Sequence, residues 1–242
     1  MKIHKISTKA PNDLDKEETK KETIRLHQEL NNLHKMMRAE EKHSILVVFQ
    51  GVDAAGKDGS IVSLYEGLFP MAAQVHCFKA PTKYEASKDY LWRIHQNVPS
   101  KGTIGMFNRS HYEDILVPGV HKLADEKTLE KRFGHINDFE RMLEDTGTKV
   151  VKFYLHISKG EQKERFKERL TNIEKRWKYN SNDLTESKFW DVYMKVYEKI
   201  FNKCEIKWDI IPGDNKWYRD YLIAKKMVEV MIELKMKYPK YI

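Results

Sequence analysis

The stretch Gln50-Gly51-Val52-Asp53-Ala54-Ala55-Gly56-Lys57-Asp58-Gly59 constrains the fold more than any other part of the sequence. It follows a short continuous apolar run, Ile45-Leu46-Val47-Val48-Phe49, and precedes a helix-length segment from Asp58 to Phe69. Through Lys57 it satisfies the spacing G-x-x-x-x-G-K, and a strand before it and a helix after it are the context that motif needs. Glycine at 51 and 56 admits backbone dihedrals that side chains resist. Such a turn aims successive N–H groups at one point and cradles phosphate oxygens. The helix that follows adds the positive end of its dipole, and Lys57 reaches a bridging or terminal phosphate as a point charge. Gly51, Ala54, Ala55, Gly56, Asp58 and Gly59 are therefore candidate phosphate-binding positions.

Two carboxylates set this loop apart. Ser or Thr normally follows the lysine and places a hydroxyl on Mg²⁺, but Asp58 stands there. Asp53 lies inside the turn, where phosphate would repel it unless a cation stood between them, so it is a candidate Mg²⁺ ligand. Alternatively Asp53 caps the turn with its own side chain. Asp58 is expected to cap the helix that follows.

Four more apolar runs punctuate the chain: Gln74–Phe78, Thr103–Phe107, Val150–Ile157 and Lys207–Ile211. Helix-length segments separate them: Tyr84–Asn97, Lys127–Asp145, Lys159–Trp177 and Thr185–Asn202, with a last helix over Trp217–Lys237. Alternation of this kind predicts parallel strands with helical crossovers. The expected fold is α/β, a three-layer α/β/α P-loop kinase-like architecture with a five-stranded parallel sheet and a helical lid. Residues 1–14 read as a loosely held arm, and Asp15 as the cap of a flanking helix that runs to about Glu41. The expected organisation is an N-terminal arm and helix over 1–43 and one domain over 44–242, its lid at about 159–182.

Composition narrows the partners. Lys and Arg number 44 against 36 Asp and Glu, a formal net charge of +8, which favours polyanions. No stretch approaches the roughly 20 apolar residues of a membrane span, and the N-terminus shows no apolar signal segment. Cys77 and Cys204 read as reduced core thiols of a cytoplasmic protein.

The segment Asn108-Arg109-Ser110-His111-Tyr112-Glu113-Asp114 follows the strand ending at Phe107. Ligands of open α/β sheets sit at the carboxyl ends of strands, so this segment is expected beside the phosphate loop. Arg109 is suited to neutralise a transferring phosphoryl group; the alternative is a structural salt bridge to Glu113 or Asp114. Asn108 and Glu113 are candidates to orient a metal or its water. Arg165 and Arg169, four apart, share a helix face, and Lys175-Arg176-Trp177-Lys178 follows. Beside a phosphate loop, this basic stretch reads as a lid that excludes water; taken alone it reads as a solvated charged helix. Lys79 and Lys83 add positive charge after the second strand.

Together these residues resemble the polyphosphate kinase type 2 family. Gly51–Gly59 looks like its Walker A segment, including Asp53 and the missing Ser or Thr. Asn108–Asp114 looks like its Walker B region, and Leu91-Trp92-Arg93-Ile94-His95 before Pro99 like its intervening helix. Arg165 to Lys178 looks like its lid. The resemblance implies phosphoryl transfer between inorganic polyphosphate and nucleotides with Mg²⁺, or Mn²⁺ in its place. It implies catalytic roles for Asp53, Lys57, Arg109 and Arg169, with Asp53 and Glu113 as metal ligands. It places Lys79, Lys83, Arg93, Asn108, Arg165 and Lys178 among the nucleotide- and polyphosphate-binding residues. Some members carry Asp where this chain has Asn108, and the form found here is closer to the subgroup that accepts both AMP and ADP. Guanine nucleotides are further candidate substrates, a homo-oligomer is expected, and nucleic acid and membrane are not expected partners. Two rivals stay open: a kinase with ATP as donor, against which Asp58 argues, and a nucleic-acid binder that stacks bases on Trp177 and Tyr179.

Overall fold

The computed structural model describes residues 2–240. Five strands form one sheet: β1 (Ser44–Gln50), β2 (Ala73–Cys77), β3 (Ile104–Asn108), β4 (Thr148–His156) and β5 (Asp209–Pro212). Their order is β2-β3-β1-β4-β5, and every pairing is parallel. β1 is central and every one of its residues is buried, as a parallel strand covered on both faces must be. That is why its sequence shows a continuous apolar run and no alternation.

Helices cover the sheet. The first, α1 (Lys16–Glu40), is capped by Asp15, whose carboxylate accepts from the Glu18 N–H at 2.7 Å. It packs along α10 (Lys216–Glu233), which also meets α2 (Lys57–Glu66). In the other layer α5 (Glu113–His121) lies against α6 (Glu126–Asp145) and α9 (Trp190–Lys203), and α6 packs on β4.

Several expectations are corrected. The arm is not loose: Ile3 is 2% exposed, and its N–H donates to Glu198 at 2.8 Å. Further on, Thr8 bonds Asp214, and the Ala10 N–H donates to Asn215. The span 84–97 is not one helix but two short turns, α3 (Lys83–Ala86) and α4 (Trp92–His95). A capping box between Thr82 and Glu85 starts the first, while the Asp89 carboxylate takes the Leu91 N–H and turns the chain between them. α7 (Lys159–Thr171) stops six residues before Trp177, and a 3₁₀ turn (Ile173–Lys178) and α8 (Ser181–Glu186) follow. Cys204 is buried, but Cys77 is exposed at the end of edge strand β2.

Helix α5 was not expected from the sequence because Pro118-Gly119 interrupts it. Proline lacks the N–H that would bond the carbonyl four residues back. Here that carbonyl belongs to Asp114, and the Arg132 guanidinium of α6 takes it instead.

Candidate active site

The carboxyl ends of β1, β3 and β4 bring the site together. The loop after β1 turns through Ala54 at φ +62° and Gly56 at φ +101°. Gly56 is required: a Cβ there would stand 2.5 Å from an Arg219 nitrogen and 3.2 Å from one of Arg165. Lys57 is buried and donates to the Gly51 and Val52 carbonyls at 2.7 and 3.2 Å. Burial and the neighbouring Arg109 charge lower its pKa to about 8, although Asp53, Glu113 and Asp58 pull the other way.

Asp58 does not cap α2, which begins at Lys57 behind Gly56 and has no side-chain cap. Its two oxygens instead take the Asn108 amide at 2.8 Å and the Lys178 ammonium at 2.9 Å. Burial raises its pKa, but these two bonds outweigh it and hold the carboxyl below its usual value. Asp58 therefore ties α2 to the end of β3 and to the basic segment.

Arg109 occupies the left-handed region at φ +63°. For a residue with a Cβ this costs on the order of 1–2 kcal/mol. It pairs with Asp53 at 2.8 Å, not with Glu113 or Asp114 as the structural alternative supposed. Burial works against its charge, yet Glu113 and Asp53 raise its pKa. Glu113, in the first turn of α5, accepts from Gln50 at 3.0 Å.

The segment after β4 meets the loop at three points. Gln162 donates to the Asp53 carbonyl at 2.9 Å, Arg165 to the Ala54 and Ala55 carbonyls at 3.0 and 2.8 Å, and Lys178 to Asp58. Arg165 also donates to the Gly213 carbonyl and to Glu161. Its guanidinium is thus engaged by the protein's own acceptors. Arg93 is buried over the Phe78 ring and donates to the Lys79 carbonyl at 2.7 Å. Arg169 pairs with Asp183 at 2.5 Å. Burial and the nearby Asp53 charge raise the Asp183 pKa. Lys79 and Lys83 are exposed, without side-chain partners among the described residues.

Sequence reasoning missed Gln50, Gln162, Asp183 and Arg219. Arg219 is buried in α10 and bonds Asp220 while its other nitrogen faces the Gly56 carbonyl at 3.5 Å. No motif marks it, since it sits in an amphipathic helix far along the chain. Asp183 had a weak signal as the acidic residue that follows a basic run.

The arrangement is a glycine-turned loop whose carbonyls take Lys57 and Arg165, with Arg109 paired to Asp53 and Lys178 to Asp58. A family model described as polyphosphate kinase 2 matches residues 13–239. The chain belongs to that family. It is 45% identical over 218 residues to an AMP/ADP-polyphosphate phosphotransferase of Meiothermus ruber, across 89% of this chain and 82% of that one. An ADP-polyphosphate phosphotransferase of Rhodopseudomonas palustris is 38% identical, across 87% of this chain and 78% of its own. Among solved structures, polyphosphate kinase 2 from Arthrobacter aurescens superposes on all of this chain and on 88% of its own, with a TM-score of 0.96 at 36% identity. The P-loop kinase architecture expected from the alternation of strand and helix is that of the family.

No helix among the described residues is long and apolar enough to cross a membrane. Among the same residues no three His, Cys, Asp or Glu side chains gather as a metal cage. Mg²⁺ does not need one. It binds through one or two carboxylates and completes its shell with water and substrate phosphates. Asp53, paired with Arg109, and Glu113, whose charge acts on the same guanidinium, are a hard oxygen donor set of that size, so the residues present fit the ion.

Proposed function

We propose that this protein transfers a phosphoryl group between inorganic polyphosphate and AMP or ADP, forming ADP or ATP, with Mg²⁺ as the working ion and Mn²⁺ as a substitute. The observation that carries the reading is the loop itself. Lys57 and the backbone amides offer a phosphate site, while Asp58 is committed to Asn108 and Lys178 and supplies no hydroxyl for a nucleotide-bound metal. The names of the relatives point to the same substrates.

In this reading polyphosphate lies along the loop, with Lys79 and Lys83 extending its path, and the nucleotide faces it from the Arg109 side. Lys57, Arg109 and Arg169 neutralise charge on the transferring group, and positioning with electrostatics carries the catalysis. Asp53 and Glu113 would hold the metal, which when bound would neutralise charge on the phosphates. For that, Asp53 must share or release its ion pair with Arg109, and Arg169 its pair with Asp183. The segment 159–182 acts as the lid that keeps water from the donor. A cytoplasmic location is part of the same reading. The exposed apolar residues Val62, Met71 and Val75, on α2, beside it and on edge strand β2, favour a homo-oligomer, which light scattering on the eluted protein checks.

The test is purified protein with long-chain polyphosphate and Mg²⁺, supplied with AMP, ADP or guanine nucleotides, and compared with ATP as donor. ADP or ATP formation from polyphosphate is expected. Folded protein that forms neither, or that transfers only from ATP, defeats the reading.

A further inference from the structure

Beneath the Arg109–Glu113 turn lies a charged network that phosphate chemistry leaves unexplained. Lys152, in β4, and Glu140, in α6, are both 0% exposed and pair at 2.5 Å. The Tyr112 hydroxyl donates to Glu140 Oε1 at 2.8 Å and accepts from the Lys152 ammonium at 2.7 Å. His111 Nε2 donates to the same Oε1 at 3.1 Å. Its Nδ1 is buried without a hydrogen-bond partner, so the ring carries one proton, on Nε2. The ammonium also faces the Tyr112 and Trp208 rings at 5.0 and 5.3 Å.

Stability does not explain such a pair. Two charges removed from water lose more than their attraction returns unless every bond is made, and packed apolar replacements are often neutral or stabilising. What the network does fix is geometry. One carboxylate, Glu140, gathers the side chains of two successive residues, His111 and Tyr112. Both lie between Arg109, held at φ +63°, and Glu113, with Ser110 ahead of them. On the other side the turn is held by the Arg109 N–H on the Phe49 carbonyl and by the Tyr112 N–H on the Ser110 hydroxyl. A strained residue keeps its conformation only where its surroundings over-determine it.

We propose that the buried Glu140–Lys152 pair, acting through Tyr112 and His111, positions Arg109 and Glu113 for phosphoryl transfer, so that these four are positioning residues of the active site. The inference rests on the phosphotransferase reading for its kinetic consequence, but not for its structural one. Fixing the turn should matter to the transition state, where Arg109 must meet developing charge, and less to the binding of a phosphate chain along the loop.

The experiment compares the full-length protein with two variants. Glu140→Leu combined with Lys152→Met removes both charges together and leaves neither unpaired. Tyr112→Phe removes one hydroxyl and leaves the ion pair. For the double variant we expect a folded protein whose melting temperature changes by only a few degrees, since removal of two buried charges offsets the loss of the acceptor for Tyr112 and His111, a kcat lower by about tenfold or more, and a polyphosphate KM within about threefold of the parent. For Tyr112→Phe we expect a kcat lower by roughly threefold or more, with a melting temperature lower by a few degrees because Lys152 and Glu140 each lose a buried bond. A folded double variant with the parent's kcat overturns the proposal. If that variant does not fold, Tyr112→Phe decides alone, and parental kcat there overturns it. Hydrogen exchange separates this outcome from failure of the functional reading. Should the parent transfer no phosphate at all, faster exchange at the Arg109, Tyr112 and Glu113 amides of a folded variant still supports the positioning role, and parental exchange rates there reject it.

Discussion

Lys57 carries opposite signs for function and for stability. With its pKa near about 8, the ammonium is charged at neutral pH and loses its proton as pH rises through that value. The kcat/KM for polyphosphate should therefore fall above pH 8. Bound phosphate stabilises the ammonium, so the kcat profile should hold to higher pH; two superimposable profiles would show that Lys57 does not face the phosphate. In the unfolded chain a lysine titrates near 10.4. The unfolded state thus holds the proton more tightly, and burial of this charge costs stability below pH 8, a cost relieved as pH rises from about 8 to 10.4. Lys57→Met should abolish turnover; relief of the buried charge at pH 7, on the order of 3 kcal/mol at most, is offset by the loss of the bonds to the Gly51 and Val52 carbonyls, so the melting temperature should change little. Gly56→Ala has no such compensation. It forces a Cβ into the left-handed region and against Arg219, so phosphate affinity and melting temperature should fall together, measured by calorimetry with tripolyphosphate.

At the level of elements, the loop is a piece of backbone clamped from behind by α7 and α10. Arg165 satisfies the Ala54, Ala55 and Gly213 carbonyls. Arg165→Met strands these buried acceptors and should cost about 2–4 kcal/mol, which differential scanning calorimetry reads as a melting temperature lower by roughly 5–15 °C. This clamp also marks where sequence reading ran out. The strands were legible because buried parallel strands leave continuous apolar runs, and the loop because its glycines and lysine keep fixed spacing. Arg165 and Arg169 share a helix face, and spacing says nothing of what that face meets. Only the tertiary fold turns one toward carbonyls and the other toward Asp183. Arg219 carries no local signal, and α5 was hidden by a proline whose orphaned carbonyl is satisfied from Arg132, eighteen residues away from Asp114. The basic segment after α7 is held to α2 by the Lys178–Asp58 bond. Lys178→Ala should free it, with faster proteolysis between 170 and 186 and little change in melting temperature. An unchanged cleavage rate would show that the other contacts suffice to hold it.

For the whole molecule the governing quantity is charge. The net charge is +8, and many surface cations are paired, including Arg25 with Glu22 and Glu29, and Arg141 with Asp138 and Glu205. Exposed pairs of this kind add little to stability, but they consume cations that would otherwise attract a polyanion anywhere on the surface. Lys79 and Lys83 are among the exposed cations without an ion-pair partner among the described residues, and they stand at the carboxyl end of the sheet, Lys79 in the loop after β2 and Lys83 at the start of α3. Arg93 fixes the Lys79 backbone from below, so that lysine projects from a held position. A polyanion that displaces counterions binds with an affinity that falls linearly in log–log form as salt rises, and the slope counts the phosphates neutralised, at roughly 0.7–0.9 per contact for nucleic-acid backbones. The polyphosphate KM should accordingly rise steeply with salt. The ADP KM should rise less, since a short ligand makes fewer such contacts. If both lysines line the chain's path, Lys79→Ala with Lys83→Ala should lower the polyphosphate slope by between one and two, raise KM most at low salt, and leave the ADP slope untouched. A parental polyphosphate slope in the double variant would move the path to the other side of the loop.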